Sequence, residues 1–339
     1  MVIMGSYPEA ADRNRPSAGT GKITCPARLY NGYTRREYGK LFGRRPGSKY
    51  SMKANCALLL MALVLVSCAP GTDAGPGAGD LEYPTGPDEL VLRISIEGGF
   101  VPVEHNLTRL PDLSLYGDGR LITQGPQIMI YPGPALPNLL VRSVTAEGVD
   151  EIVREAADAG LTGPDRRFDS AARRIADLPD TVFTLVTAGG THTTSVYGFG
   201  SGEELRGIPR EEADAIRELH RLRERLTGLE SWLPEGSVGP EESFEPRSMR
   251  IFVSTPAPSS EEGLEQQPIA WPLAQPLAEF GEPVPPEGFR CGTVEGEDLA
   301  AVLQVASQAN QLTPWESAGA QYALSWRPLL PDESGCPTP

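Results

Sequence analysis

The chain has 339 residues, 40% hydrophobic and 22% charged, with 37 Gly, 33 Pro and a formal net charge of −15. The apolar fraction supports a buried core and excludes a collagen-like or wholly disordered chain. The acidic balance argues against nucleic acid as a partner, because phosphate binding needs a basic surface.

Residues 1–51 carry ten Lys/Arg against three Asp/Glu. They read as an over-extended leader upstream of a true start at Met52, with a genuine long n-region as the alternative, and in either case are set apart from the fold. Met52-Lys53 gives a short positive start, and Cys56 to Val66 is an unbroken apolar run of eleven residues. Crossing a hydrocarbon core takes about 20 helical residues, so the run is too short to span but suits a secretory signal. It ends in Leu65-Val66-Ser67-Cys68, followed by Gly, Pro and Ala.

That tetrad resembles the lipobox of bacterial lipoproteins. The resemblance implies that residues 52–67 form a signal peptide cut just before Cys68. It also implies that Cys68 carries the lipid, a diacylglyceryl group with further acylation such as palmitate. The mature chain would then sit lipid-anchored on the extracytoplasmic face of the cell membrane. A single acyl chain holds only marginally, so the two or three chains of a lipoprotein are needed. Residues 68–87 read as a flexible tether. From Cys68 onward 19 basic residues, all Arg, face 42 acidic ones, a net charge of −23. Such a body is held by its lipid rather than by attraction to anionic headgroups.

Beyond the tether the pattern predicts an α+β fold of short antiparallel strands and hairpins with two to three helices. An α+β module is expected over 88–232, a linker over 233–248 and a smaller Pro-rich α+β module over 249–339. Residues 88–97 alternate as a strand. Leu113 to Thr123 reads as a hairpin, with Asp118-Gly119 in a type I′ turn. Gln127–Tyr131 and Leu139–Val144 are further expected strands. Ala146–Ala159 has helical spacing of Val149, Ile152, Val153 and Ala156, with Gly160 as its stop. Thr181–Tyr197 reads as a hairpin turning on Gly189-Gly190. A longer helix over Pro209–Gly228 buries Ala213, Ile216, Leu219, Leu222 and Leu226. In the smaller module, strands are expected at Met249–Ser254 and Tyr322–Trp326, with a helix at Glu297–Asn310. Residues 255–290 are irregular, either wrapping that module or offering Trp271 and Phe280 to a partner. Thr145-Ala-Glu-Gly-Val-Asp150 and Thr293-Val-Glu-Gly-Glu-Asp298 open one helix in each module alike, which reads either as diverged copies or as common helix-start residues.

After processing, Cys291 and Cys336 remain beside Cys68. In an extracytoplasmic chain they are expected to form a disulfide. No metal site and no cofactor is expected, because His105, His192 and His220 are scattered and no metal-ligand or nucleotide motif occurs. His220 is placed on the solvated side of its helix. His192, in the Thr-rich run Thr191–Ser195, is the weak catalytic candidate, as a base for a neighbouring hydroxyl. Leu113–Arg120, the later Pro-Gly-Pro and the strand–helix unit are similar to uncharacterised lipoproteins of high-GC Gram-positive bacteria, a resemblance that carries no activity. The leading expectation is a non-enzymatic binding protein of the cell envelope, its partner an envelope protein or ligand besides the membrane held through Cys68. The alternative is an extracytoplasmic hydrolase using a Ser/Thr hydroxyl near His192.

Overall fold

Two mixed β-sheets and four α-helices make up the computed structural model, which describes residues 81–169, 175–202, 204–256 and 264–337. The class is α+β. Leader, signal segment and Cys68 lie outside the described residues. The first sheet takes its strands in the order β5-β7-β6-β1-β2-β3-β4-β8. These are β1 (Leu90–Gly98), β2 (Leu113–Tyr116), β3 (Arg120–Gln124), β4 (Leu139–Ser143), β5 (Arg166–Phe168), β6 (Pro179–Thr187), β7 (Gly190–Tyr197) and β8 (Glu242–Ser243). Pairing is antiparallel except for β5 with β7.

Register explains the core. Leu185, Leu92, Leu115 and Leu121 lie opposite one another across four strands, and Phe183, Ile94 and Leu113 form a second row. Both rows are buried under the apolar faces of α2 (Ala146–Asp158) and α3 (Arg210–Thr227). Each such side chain, fully buried, stabilises the fold by about 1.5–3 kcal/mol before entropy is counted. The hydroxyl of Thr145 caps α2 by accepting from the N–H of Gly148, and Gly160 follows its end at φ +86°. Acidic residues open α3 and Arg225 closes it, matching the helix dipole.

The hairpin between β2 and β3 turns where expected but not as type I′. Only Gly119 takes a positive φ, +84°, and its N–H donates to Tyr116 O. With Leu115 paired to Leu121, this is a wider loop closed by a single left-handed glycine. A side chain at Gly119 would collide with the carbonyl of Val144.

The second sheet runs β10-β13-β14-β9-β12-β11. Its members are β9 (Ser248–Ser254), β10 (Ile269–Ala270), β11 (Glu282–Val284), β12 (Phe289–Glu295), β13 (Trp315–Ser317) and β14 (Ala320–Pro328). α4 (Gly296–Ala306) packs on it through Leu299, Val302 and Ala306. Trp271, Trp315, Trp326 and Phe280 fill the same core, with neighbouring ring centroids 5.2–6.3 Å apart. Trp271 and Phe280 are therefore buried and not offered to a partner; the described part of 255–290 wraps its own sheet. The chain runs past β14 to Cys336, which is disulfide-bonded to Cys291 on β12.

Three further features differ from the sequence reading. A fourth helix, α1 (Val103–Thr108), buries none of its residues and so left no apolar periodicity to read. Gln127–Tyr131 is not a strand: β3 and β4 pair directly, and the Pro-rich segment between them loops out beyond the sheet. The stretch 233–248 joins the two sheets in sequence and is itself paired, through β8 on β4 and a bridge from Val238 to Val144. The matching helix-start motifs also enter their helices differently. Gly148 is buried inside the first turn of α2, whereas Gly296 begins α4 at φ +59°.

Candidate functional site

Both sheets fall within one compact unit, Gly71–Pro339, and a charged seam joins them. On β1, Arg93 donates from Nη2 to Asp332 Oδ1 at 2.7 Å and from Nε to Ser114 at 3.0 Å. The Tyr116 hydroxyl also donates to Asp332, at 2.7 Å. On β14, Arg327 grips Glu333 with both Nη atoms, at 2.5 and 2.7 Å, while its Nε donates to the carbonyl of Arg109. Leu330 beside them shares a core cluster with Tyr116, Ile122 and Leu139 of the first sheet and with Leu110 before β2. This explains why every residue of β2 is buried: helices cover one face and the segment after β14 covers the other.

Electrostatics follow from that burial. Burial opposes ionisation of Asp332 and Glu333, but the guanidiniums of Arg93 and Arg327 more than offset it, and both carboxyls lie below the usual range. Burial pushes the Tyr116 hydroxyl up, against the pull of Arg93. Beside the seam is a groove of about 370 Å³, with Arg93, Glu97, Asn106, Arg109, Arg327 and Glu333 on its walls. Arg93 and Arg327 are neutralised from within, and Arg109 is occupied by the carbonyls of Ile96 and Gly98. Chemically the groove flanks an interlock between sheets, in which Arg93 and Arg327 are each matched to a carboxylate.

His192 lies on β7 and is held at both ring nitrogens. Nδ1 is 2.9 Å from the carbonyl of Gly163, which fixes it as the donor, and Nε2 faces the Thr187 hydroxyl at 3.4 Å. A hydroxyl beside the imidazole is what the hydrolase reading requires. Here, however, Thr187 also accepts from Gly189 N–H, and the cluster closes the end of the β6–β7 hairpin. The orienting group is a neutral carbonyl rather than a carboxylate, so it stabilises an imidazolium only weakly. The groove beside the seam does not include these residues.

His220 is not simply solvated. Its ring stacks on Phe199 at 3.9 Å, and Nε2 is 2.9 Å from the buried carboxylate of Glu204. Burial opposes the charge on Glu204, yet the backbone N–H groups, His220 and Ser201 hold its carboxyl below the usual range. An ionised carboxylate only accepts, so His220 is the donor. A helical wheel cannot show this, because the partner comes from the loop before α3.

The loop between β3 and β4 presents the largest continuous apolar exposure described. Ile128, Met129, Ile130 and Tyr131 are 65%, 97%, 59% and 61% exposed. Its base is fixed: Gly125 N–H donates to Asn138 O, and the Asn138 side chain donates to Pro126 O. On the far side, Ala135 N–H donates to Ala309 O and Gly133 O accepts from Gln311 N–H, tying the loop to the turn that follows the helix of the second sheet.

Cys291 and Cys336 are the expected site residues that the structure brings together. Among the described residues, no three metal-ligating side chains group together, and no helix is long and apolar enough to cross a membrane. Comparison with protein-family models, curated proteins and solved structures gives no match.

Proposed function

We propose that this chain is a lipid-anchored extracytoplasmic lipoprotein that acts at the cell envelope by binding rather than by catalysis. The observation that carries the reading is the order charge, apolar run, Leu65-Val66-Ser67-Cys68 and Gly/Pro tether. The Cys291–Cys336 disulfide supports it, because such bonds persist in oxidising compartments and are rare in the cytosol. Cleavage before Cys68 leaves these two cysteines as the only pair besides the lipidated one. Intact-mass analysis of the membrane fraction should find a chain beginning at a diacylated or triacylated Cys68 with the disulfide formed. An unmodified cytosolic chain beginning at Met1 with free thiols would overturn the reading.

The contact between Thr187 and His192 favours a second reading, an extracytoplasmic hydrolase. His192→Gln separates the two, since it removes a catalytic base while leaving a binding function in place.

A further inference from the structure

We infer that the loop carrying Ile128, Met129, Ile130 and Tyr131 dips into the surface of the lipid bilayer and gives the body a second membrane contact. Three observations lead there. First, the exposure is continuous and uncharged: the seventeen residues from Gly125 to Val141 hold no Asp, Glu, Lys or Arg, in a body of net charge −23. Tyr131 adds an amphipathic ring of the kind that settles at a headgroup boundary.

Second, the four side chains are consecutive. Successive side chains leave a backbone in different directions whatever its conformation, so a folded partner laid on one side of the loop covers only part of the set. A fluid apolar phase covers all of it. The hydrogen bonds at the loop base hold the tip in place, so little ordering is required on insertion.

Third, chain length brings the bilayer within reach. Twelve residues lie between Cys68 and Leu81, thirteen steps along the chain that extend to at most about 45 Å. The described chain enters near the end of β6, where Glu82 O accepts from Ala188 N–H. β1 and β3 run in the same direction, opposite to β6, so the loop and the 88% exposed Phe100 share the other end of the sheet. The nine residues of β1 span about 30 Å, within that reach. The inference rests on the lipid-anchored reading for its source of membrane, and its test does without the lipid.

The chain from residue 68 with Cys68→Ser contains the whole compact unit and has no free thiol when the disulfide is formed. Introducing Met129→Cys then allows a single environment-sensitive fluorophore at the loop tip. Protein-free phosphatidylcholine vesicles should blue-shift its emission, and bilayer-depth quenchers should reach it. Ile128→Asp with Met129→Asp should reduce vesicle partitioning at least tenfold, whereas Gln321→Asp, at an exposed position of β14, should leave it unchanged. Adding anionic phosphatidylglycerol should weaken binding, because the acidic body is repelled. No emission change on vesicles, or wild-type partitioning of the double Asp variant, overturns the inference. A response only to a protein-containing envelope extract also overturns it, and identifies a protein contact instead. Failure to find lipid on Cys68 in cells would remove the anchor while leaving the vesicle result intact, so the two readings fail separately.

Discussion

Replacing Glu333 by Ala should cost about 3–4 kcal/mol. The magnitude comes from the surroundings of the pair. The side chains of Arg327 and Glu333 are 9% and 17% exposed, and the carboxylate takes both Nη atoms of Arg327 as well as the N–H of Leu330. Removing one partner of a pair this enclosed leaves a charge without compensation, which costs roughly 3–5 kcal/mol. For a unit of this size the loss corresponds to a fall in Tm of roughly 8–12 °C. Urea unfolding followed by circular dichroism measures it, with an unchanged m-value confirming that stability alone has moved. Arg327→Met combined with Glu333→Leu should recover most of the loss, because an apolar pair of similar volume escapes the desolvation cost. The coupling between the two sites should then be at least about 1 kcal/mol. A loss below about 1 kcal/mol for Glu333→Ala, or a double variant no better than the single one, refutes the claim that this pair fixes the segment that covers the first sheet.

Acid should weaken both the seam and the Glu204–His220 pair. Asp332, Glu333 and Glu204 have folded pKa values below the ordinary carboxylate value of about 4, so their stabilisation is complete above that pH and disappears as pH falls through the lowered values. Asp112, raised by burial, works in the opposite sense, and a pH series of unfolding midpoints should still fall on the acid side. Cys291→Ser with Cys336→Ser opens a loop with a sequence separation of 45 and should cost about 4 kcal/mol on the chain-entropy model, read as a lower Tm that added reductant no longer changes.

The elements that could be read from sequence were those with a strong local signature. α2 and α3 appear within two residues of the expected bounds, because each buries an apolar stripe at helical spacing. The two hairpins follow from Gly119 and Gly190, where the backbone takes positive φ. What escaped was non-local. β8 and β10 are two residues long and exist only through their partners, β4 and β13. Gln127–Tyr131 has the composition of a strand but faces no open sheet edge, and its flanking prolines lack the N–H groups that a ladder needs. The disulfide followed from counting cysteines, whereas Glu204 and His220 are 16 residues apart and Arg93 and Asp332 are 239 apart. No spacing rule reaches across such separations.

The segment that closes the seam also sets an order of assembly. A polypeptide is synthesised from its N-terminus, and Leu330, Asp332, Glu333 and Cys336 all follow the last strand. Until they emerge, Tyr116 and Ile122 have no cover, Arg93 lacks its carboxylate, and Cys291 waits as a thiol. The first sheet can pair its strands early, but its outer face is completed only by the tail. A chain interrupted after β14 would therefore present a sticky, half-clad sheet, a ready target for proteolytic quality control, even though every strand and helix had already been made.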